Sequence, residues 1–493
     1  MLGSKDSMYA ALKAKDARFD GRFFVAVSST GIYCRPVCRA RLPKPENCSF
    51  YETAAEAEQA GYRPCLVCRP EMAPGLSKAD ASAGLAERAA RALEETLCID
   101  ESLEAVAARL GCTGRHLRRA FADAYHVQPA QYLLTCRLLL AKSLLTDTRL
   151  PVLEVAMASG FGSLRRFNAV FKERYRLTPS DMRKGGGQRN AGREGGITLA
   201  LGYRPPYRWE EMLGFLGRRA IAGVETVKDG AYFRTVRLTP PEQPEIRGWL
   251  RVGDDPDGCA VTVATSGNLL PVLPQVIARV KRMFDLGCDP HSVYETVSSM
   301  NDIRPGLCVP GTRLPGCFDP FETAVRAVLG QQITVKSAGT LAARVVAEFG
   351  SPVQTGIDGL TSVFPAPREI SGLGGSIRDR FGALGVISSR SRTIGELALA
   401  FSRQEGDCFG SRPEPEGKIR ELTGIRGIGS WTAQYIAMRS MDYTDAFLET
   451  DAGVKKALPQ YSPKELLRIA ERWRPWRSYA VISLWNSLSG ELR

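Results

Sequence analysis

Two close pairs of cysteines, Cys34-x3-Cys38 and Cys65-x2-Cys68, flank a 26-residue excursion near the start of the chain. No other feature narrows the choice of fold as much. Tetrahedral zinc takes four soft ligands, and two short-spaced pairs supply them from two turns. Spacing alone points to a closed, structural zinc site. The module cannot organise the rest of the 493 residues, whose length suggests about three domains at roughly 100–200 residues each.

Two breaks in composition divide the chain. The first is Pro70-Glu-Met-Ala-Pro74-Gly75, directly after the second cysteine pair. The second is the Gly-rich run from Lys184 to Gly196, which has no apolar face to bury and reads as a flexible linker. Strand-like runs then alternate with helical ones: Ile197–Leu201, Tyr232–Leu238 and Cys259–Thr265 against Trp209–Leu216 and Pro274–Phe284. From Gly311 the pattern is almost wholly helical. The expected parts are a zinc module (1–80), an all-helical domain (81–186), a linker (187–196), a mixed α/β subdomain (197–310) and a helical subdomain (311–493).

Charge and cysteine usage restrict the partners. A net charge of +13 suits a polyanion contacted along much of the length. The 13 cysteines are odd in number, and most stand alone in apolar or helical surroundings. No apolar run opens the chain, and none approaches a membrane span. The expectation is a protein of the reducing cytoplasm, with no membrane partner.

The residues around the cysteines carry a resemblance. Thr30-Gly-Ile-Tyr-Cys34-Arg-Pro-Val-Cys38-Arg-Ala-Arg41 and Gly61-Tyr-Arg-Pro-Cys65-Leu-Val-Cys68-Arg-Pro70 resemble the N-terminal domain of the Ada family, which repairs methyl phosphotriesters in DNA. The resemblance implies one zinc ion on Cys34, Cys38, Cys65 and Cys68, with Cys34 taking the methyl group irreversibly. The chemistry is sound. A phosphotriester methyl is a modest electrophile, and zinc keeps a thiolate available at neutral pH. Thr30, Arg35, Arg39 and Arg41 are the candidate contacts to the DNA backbone. Methylation also lowers the negative charge of the zinc–thiolate cluster and so favours DNA. Cys48, between the pairs, is expected to be a buried bystander.

Two similar segments follow, Leu103–Phe121 and Leu153–Phe171. Each runs helix, Gly-containing turn, Thr113 or Ser163 at a cap position, and a second helix rich in arginine. Two copies joined by a long helix, about Pro129–Leu145, resemble the AraC-type DNA-binding domain. Arg115, His116, Arg118 and Arg119 in the first copy, and Arg165, Arg166 and Asn168 in the second, are the candidates to touch DNA. Promoter DNA and RNA polymerase are the partners this implies.

The segment Leu422-Thr-Gly424-Ile-Arg-Gly427-Ile-Gly429-Ser-Trp-Thr places a Gly-x-Gly turn between two helices, a site for a phosphate. Asp451 lies 22 residues after Gly429, behind an apolar run. The pairing resembles the helix-hairpin-helix and Asp signature of base-excision glycosylases. Leu201–Trp209, Met212–Leu216, Phe318–Gln332 and Ala470–Ala480 extend the likeness to AlkA-type 3-methyladenine glycosylases over 197–493. The whole is then a multidomain α+β chain: zinc module, double helix-turn-helix, α/β subdomain and all-α helix-hairpin-helix glycosylase domain.

The resemblance implies that a damaged base is flipped from duplex DNA. Asp451 is then catalytic, either stabilising the sugar cation or orienting water. Trp431, Tyr435 and Trp485 form an aromatic pocket for cationic alkylpurines, and Gly427 and Gly429 grip the backbone. A monovalent cation at the hairpin is a further implied cofactor. Trp431 stands where bifunctional relatives carry Lys, so no Schiff base and no lyase step are expected. No cysteine follows Cys408, so no C-terminal iron–sulfur cluster is expected. Gln332 replaces a Leu wedge, leaving Gln332 or Ile333 to fill the gap. Two alternatives remain: a regulator with a silent glycosylase half, or a glycosylase targeted by a structural zinc and helix-turn-helix module. A bacterial, nucleoid-associated protein fits either.

Overall fold

The computed structural model describes residues 4–74, 85–97, 101–185, 196–240, 244–403 and 415–488. The expected boundary at 80/81, nearly all of the Gly-rich linker, Cys98 and Cys408 lie outside these residues. No helix among the described residues is long and apolar enough to cross a membrane.

The zinc module is a four-stranded sheet in the order β3-β1-β2-β4. β1 (Phe24–Val27) is buried along its length and pairs antiparallel with β2 (Ile32–Cys34) and β3 (Cys48–Tyr51). The β1–β2 turn passes through Gly31 at φ +66°, a conformation that favours glycine. β4 (Arg63–Pro64) runs parallel to β2 with Tyr33 opposite Pro64. Cys34 and Cys65 are the next residue on each strand, so parallel register brings the two cysteine pairs together. The Cys65 N–H donates to the Tyr33 carbonyl at 3.0 Å.

The helical domain carries its internal repeat in detail. Helices Leu103–Arg109 and Gly114–Tyr125 form the first copy, and Val152–Ala158 and Leu164–Tyr175 the second. Thr113 and Ser163 cap the reader helices as expected, accepting from His116 and Arg166 N–H at 3.3 and 3.2 Å. The linking helix Pro129–Asp147 joins the copies.

A five-stranded antiparallel sheet, order β5-β9-β8-β7-β6, forms the α/β subdomain. The strands are β5 (Gly196–Gly202), β6 (Glu225–Lys228), β7 (Ala231–Leu238), β8 (Ile246–Asp255) and β9 (Ala260–Ser266). The sequence pattern marked three of these. β8 escapes because Arg247, Arg251, two glycines and two aspartates interrupt its alternation, although Leu250 and Val252 are fully buried.

The helical remainder is not one body with one core. The helices from Pro320–Leu329 through Ser430–Ser440 enclose their own cluster around Val328, Val345 and Ile394. The C-terminal helices, including Ala452–Ala457 and Arg477–Ser487, pack back onto the sheet around Tyr232, Phe284 and Trp473. Tyr435 touches both clusters, so the seam between them is where a site can form. The linker's two sides share a core as well. Ile197, Leu199 and Leu273 are buried with Phe167, Phe171 and Tyr175 of the second repeat.

Candidate functional site

The four Sγ atoms of Cys34, Cys38, Cys65 and Cys68 all lie within 4.8 Å of one another. Cys38 and Cys65 are buried, while Cys34 and Cys68 are partly exposed. Backbone N–H groups turn toward sulfur: Val67 donates to Cys65 and Arg35 to Cys68, each at 3.3 Å. Thiols this close compete for protons. Sulfur–sulfur hydrogen bonding with Cys34 holds Cys65 well down and brings Cys38 to about 7, while Cys34 is pushed up by Cys38 and Cys68 by Cys34. A dication bound to all four removes that conflict, and the soft donor set fits zinc.

Of the expected DNA contacts around the centre, Thr30, Arg39 and Arg41 are exposed. Arg35 requires a correction. It is 8% exposed, ion-paired with Asp20, and donates to the Cys68 carbonyl at 3.0 Å. Its guanidinium braces the cysteine loop from inside and is not a cation offered to DNA. Cys48 is buried, with its thiol on the Lys44 carbonyl.

A buried carboxylate ties this module to the helical domain. Glu58 accepts from Tyr33 at 3.0 Å, Thr135 at 3.0 Å and Tyr175 at 3.3 Å. Tyr33 precedes Cys34, Thr135 is on the linking helix, and Tyr175 ends the second reader helix. Burial raises the Glu58 carboxyl to about 7 against the lowering effect of the three hydroxyls. Nearby, Glu71 holds both Lys142 and Arg69, and Arg69 also reaches Asp147 at 2.6 Å. Arg22 pairs with Asp289 at 2.5 Å, joining the module to the glycosylase-like half.

Arg115, His116, Arg118 and Arg119 on the first reader helix are exposed, as are Arg165, Arg166 and Asn168 on the second. Arg118 pairs with Glu104 and Arg119 loosely with Asp123 at 3.9 Å. Such exposed, solvent-screened pairs hold a side chain only weakly and yield to a phosphate.

The second site lies at the seam. Asp451 caps the helix Ala452–Ala457, accepting from Val454 N–H at 3.0 Å. It is more than a cap. The Trp485 indole N–H donates to its Oδ1 at 2.8 Å, and that of Trp431 to its Oδ2 at 3.1 Å. Charge-assisted bonds of this kind are worth about 1.5–3 kcal/mol each. The sequence had suggested these indoles only as pocket walls. Gly453 is required here, because a Cβ would come within 2.8 Å of Trp485.

Trp431 stacks on Tyr435 at 5.3 Å and 9°, and Trp485 stacks on Phe215 at 6.2 Å and 18°. Behind the rings lie residues that sequence reasoning missed. Arg219 sits 3.8 Å from the Phe215 centroid, and Arg439 donates to the Tyr435 hydroxyl at 2.9 Å. Burial pushes Tyr435 up, but the charges of Arg439, Arg219 and Arg326 outweigh it and bring the phenol below its usual range. Burial lowers Arg219 to about 10. Phe215 lies in the stretch Met212–Leu216 that carries the glycosylase resemblance, but only the fold brings it to Trp485.

Gly427 and Gly429 form the exposed turn between helices Pro415–Thr423 and Ser430–Ser440. Gly427 adopts φ +91°, and Gly429 takes the cap position of the second helix. Gln332 is exposed at φ +55°, in the turn after helix Pro320–Leu329.

Family models match three stretches of the chain: the "Metal binding domain of Ada" over residues 7–71, a "Helix-turn-helix domain" over 106–185, and the "AlkA N-terminal domain" over 198–319. The chain is 35% identical over 494 residues to the Mycobacterium tuberculosis protein named "Probable bifunctional transcriptional activator/DNA repair enzyme AlkA", covering 97% of this chain and 96% of that one. It is 36% identical over 286 residues to "DNA-3-methyladenine glycosylase 2" of Escherichia coli, covering 58% of this chain and 95% of that one. "Bifunctional transcriptional activator/DNA repair enzyme Ada" of Escherichia coli is 39% identical over 127 residues, covering 25% of this chain and 34% of its own length. The chain therefore belongs to the family of bifunctional transcriptional activator/DNA repair enzymes AlkA, an Ada-type regulator with AraC-type helix-turn-helix repeats fused to an AlkA-type glycosylase.

Proposed function

We propose that this protein repairs alkylated DNA by two chemistries and reports the first to a promoter. The carrying observation is Asp451, whose two carboxylate oxygens take an indole N–H from two aromatic residues lining one seam. That geometry fixes an anion beside flat, polarisable walls, as excision of a flipped purine requires. The bond from C1′ to the base nitrogen breaks, and its electrons leave with the base. Asp451 faces the sugar cation that results, and water adds at C1′ with loss of a proton. Trp431 occupies the place of an amine nucleophile, so no Schiff base forms and the strand stays intact. Gly427 and Gly429 hold the backbone, with a monovalent cation at the turn in keeping with the family. Gln332 is the wedge in preference to Ile333, because it is the exposed residue of the turn.

In the zinc module, Cys34 sulfur attacks the methyl carbon of a phosphotriester. The sulfur–carbon bond forms, the carbon–oxygen bond breaks, and a phosphodiester anion leaves. Bound zinc keeps the sulfur deprotonated at neutral pH. Arg39 and Arg41 hold the flanking phosphates, while Arg35 keeps the loop in shape. The thioether is permanent, and the lost negative charge favours binding by Arg115, His116, Arg118 and Arg119 and by Arg165, Arg166 and Asn168. RNA polymerase is the partner such binding would recruit. The division of labour follows residues 1–80, 81–186, 197–310 and 311–493.

The glycosylase reading is tested by incubating the full chain with methylated duplex DNA and separating the released bases. Free 3-methyladenine from the wild type, absent with Asp451→Asn, is expected. Release that is equal in both variants would remove Asp451 from its role.

A further inference from the structure

The turn that carries Gln332 is tied to the DNA-gripping hairpin by its neighbour. Gln331 Nε2 donates to the Gly427 carbonyl at 2.9 Å and to Thr432 Oγ1 at 3.0 Å. Gly427 is the left-handed residue of the hairpin turn, and Thr432 adjoins Trp431 of the pocket. One amide thus touches the turn of the wedge, the phosphate grip and the helix bearing the aromatic wall. The helix Ser388–Arg403 braces the same junction. Its Arg390 donates to the Gln331 carbonyl, and its Thr393 donates to the Arg426 carbonyl at 2.8 Å. Thr393 also fills the space beside Gly427, where a Cβ would lie 2.2 Å from its hydroxyl.

We propose that Gln331 is a positioning residue that locks the Gln332 turn to the hairpin, so that the residue filling the gap left by a flipped base is held rigidly in place beside the backbone grip. This rests on the glycosylase reading with Gln332 as the wedge. The physical reason is preorganisation. Gln332 holds a left-handed backbone, costly for a residue with a Cβ, and two side-chain bonds from the adjacent residue over-determine that turn. A wedge that must order itself on each encounter would insert less often.

The test uses the full chain and a duplex with one 7-methylguanine beside 2-aminopurine, whose fluorescence rises on unstacking. Gln331→Ala should slow single-turnover excision roughly tenfold. Gln331→Glu keeps the size of the side chain but cannot donate to the Gly427 carbonyl, and should behave like the Ala variant. Binding to undamaged duplex should change less than about twofold, since the hairpin N–H groups are untouched. The deciding readout is coupling. In a Gln332→Ala background, Gln331→Ala should add less than about twofold, whereas an independent structural role would add its full effect again. Wild-type rates in Gln331→Glu, or full additivity with Gln332→Ala, would overturn the proposal. The 2-aminopurine rise, read in Asp451→Asn so that no chemistry intervenes, should also fall with Gln331→Ala. Loss of that rise without any wild-type excision would support the lock and sink the glycosylase reading instead.

Discussion

Cys34 ends a short strand with three partner sulfurs within 4.8 Å, whereas Asp451 caps a helix with an indole N–H on each carboxylate oxygen. Both sites set one acidic side chain among fixed partners, but the means differ. On the function proposed above, a Cys34 thiolate would depend on a bound cation and on the loop that Arg35 braces. The carboxylate depends on neutral donors carried by helices whose cores are already complete. On that reading the zinc centre would react once, with a product that alters its charge. On the same reading the Asp451 pocket would act repeatedly, because hydrolysis of the base–sugar bond adds no group to the carboxylate or to its indole donors. The difference teaches that a preformed donor set serves turnover, while a cluster whose net charge can change serves signalling.

The sharpest way to break the comparison is at the carboxylate. Asp451→Asn keeps the cap and the size but loses the charge, and excision should fall roughly a thousandfold, the scale of removing one preorganised electrostatic partner. Single-turnover release of methylpurines measures it, and methyl uptake at Cys34 should be untouched. A smaller loss is expected with Trp485→Phe, which keeps the stack on Phe215 but removes the 2.8 Å indole donor. Excision should drop about tenfold, in line with one charge-assisted bond. If Trp485→Phe equals wild type, the indole is only a wall.

Chelation separates the two sites in the other direction. Removing zinc should unfold the module and abolish methyl uptake, since such sites couple metal to folding. Excision should survive, because the Asp451 pocket draws no ligand from residues 1–80. Parallel loss of both activities would contradict that independence.

Much of this was legible in the sequence, for physical reasons that differ by region. Cysteine spacing and the Gly-x-Gly turn are local, so their chemistry can be read without a fold. The caps at Thr113 and Ser163 are local too. The donors on Asp451 are not: Trp485 lies 34 residues away and reaches it only because the C-terminal helix folds back onto the sheet. Arg35 was misread for the same reason, since its partner Asp20 becomes a neighbour only when the cysteine loop closes. Arg219 and Arg439 behind the aromatic rings gave no local signal at all, because surface and buried arginines look alike in a chain this basic.

A different readout, stability against pH, applies to Glu58, which joins the strand of Cys34 to the second reader helix. Its folded carboxyl titrates at about 7 against an ordinary value of 4.5. The fold favours the protonated form, so this group's stabilisation is present below about 4.5 and is lost as pH rises toward 7. The loss is on the order of 3 kcal/mol at most. Glu58→Gln keeps acceptors for Tyr33 and Tyr175 and can donate to Thr135, so it should flatten that part of the Tm–pH curve. An unchanged curve would mean that the carboxylate is compensated elsewhere.

The central claim is that one chain carries both chemistries, and one reaction tests it most directly. The full protein is incubated with methylated duplex DNA, and the same sample is split for base chromatography and for mass analysis of the Cys34 peptide. The account predicts released 3-methyladenine in stoichiometric excess over protein, together with a single methyl group on Cys34 that is absent in Cys34→Ser. Released base with an unmodified Cys34 would contradict it, leaving a glycosylase beside a purely structural zinc site.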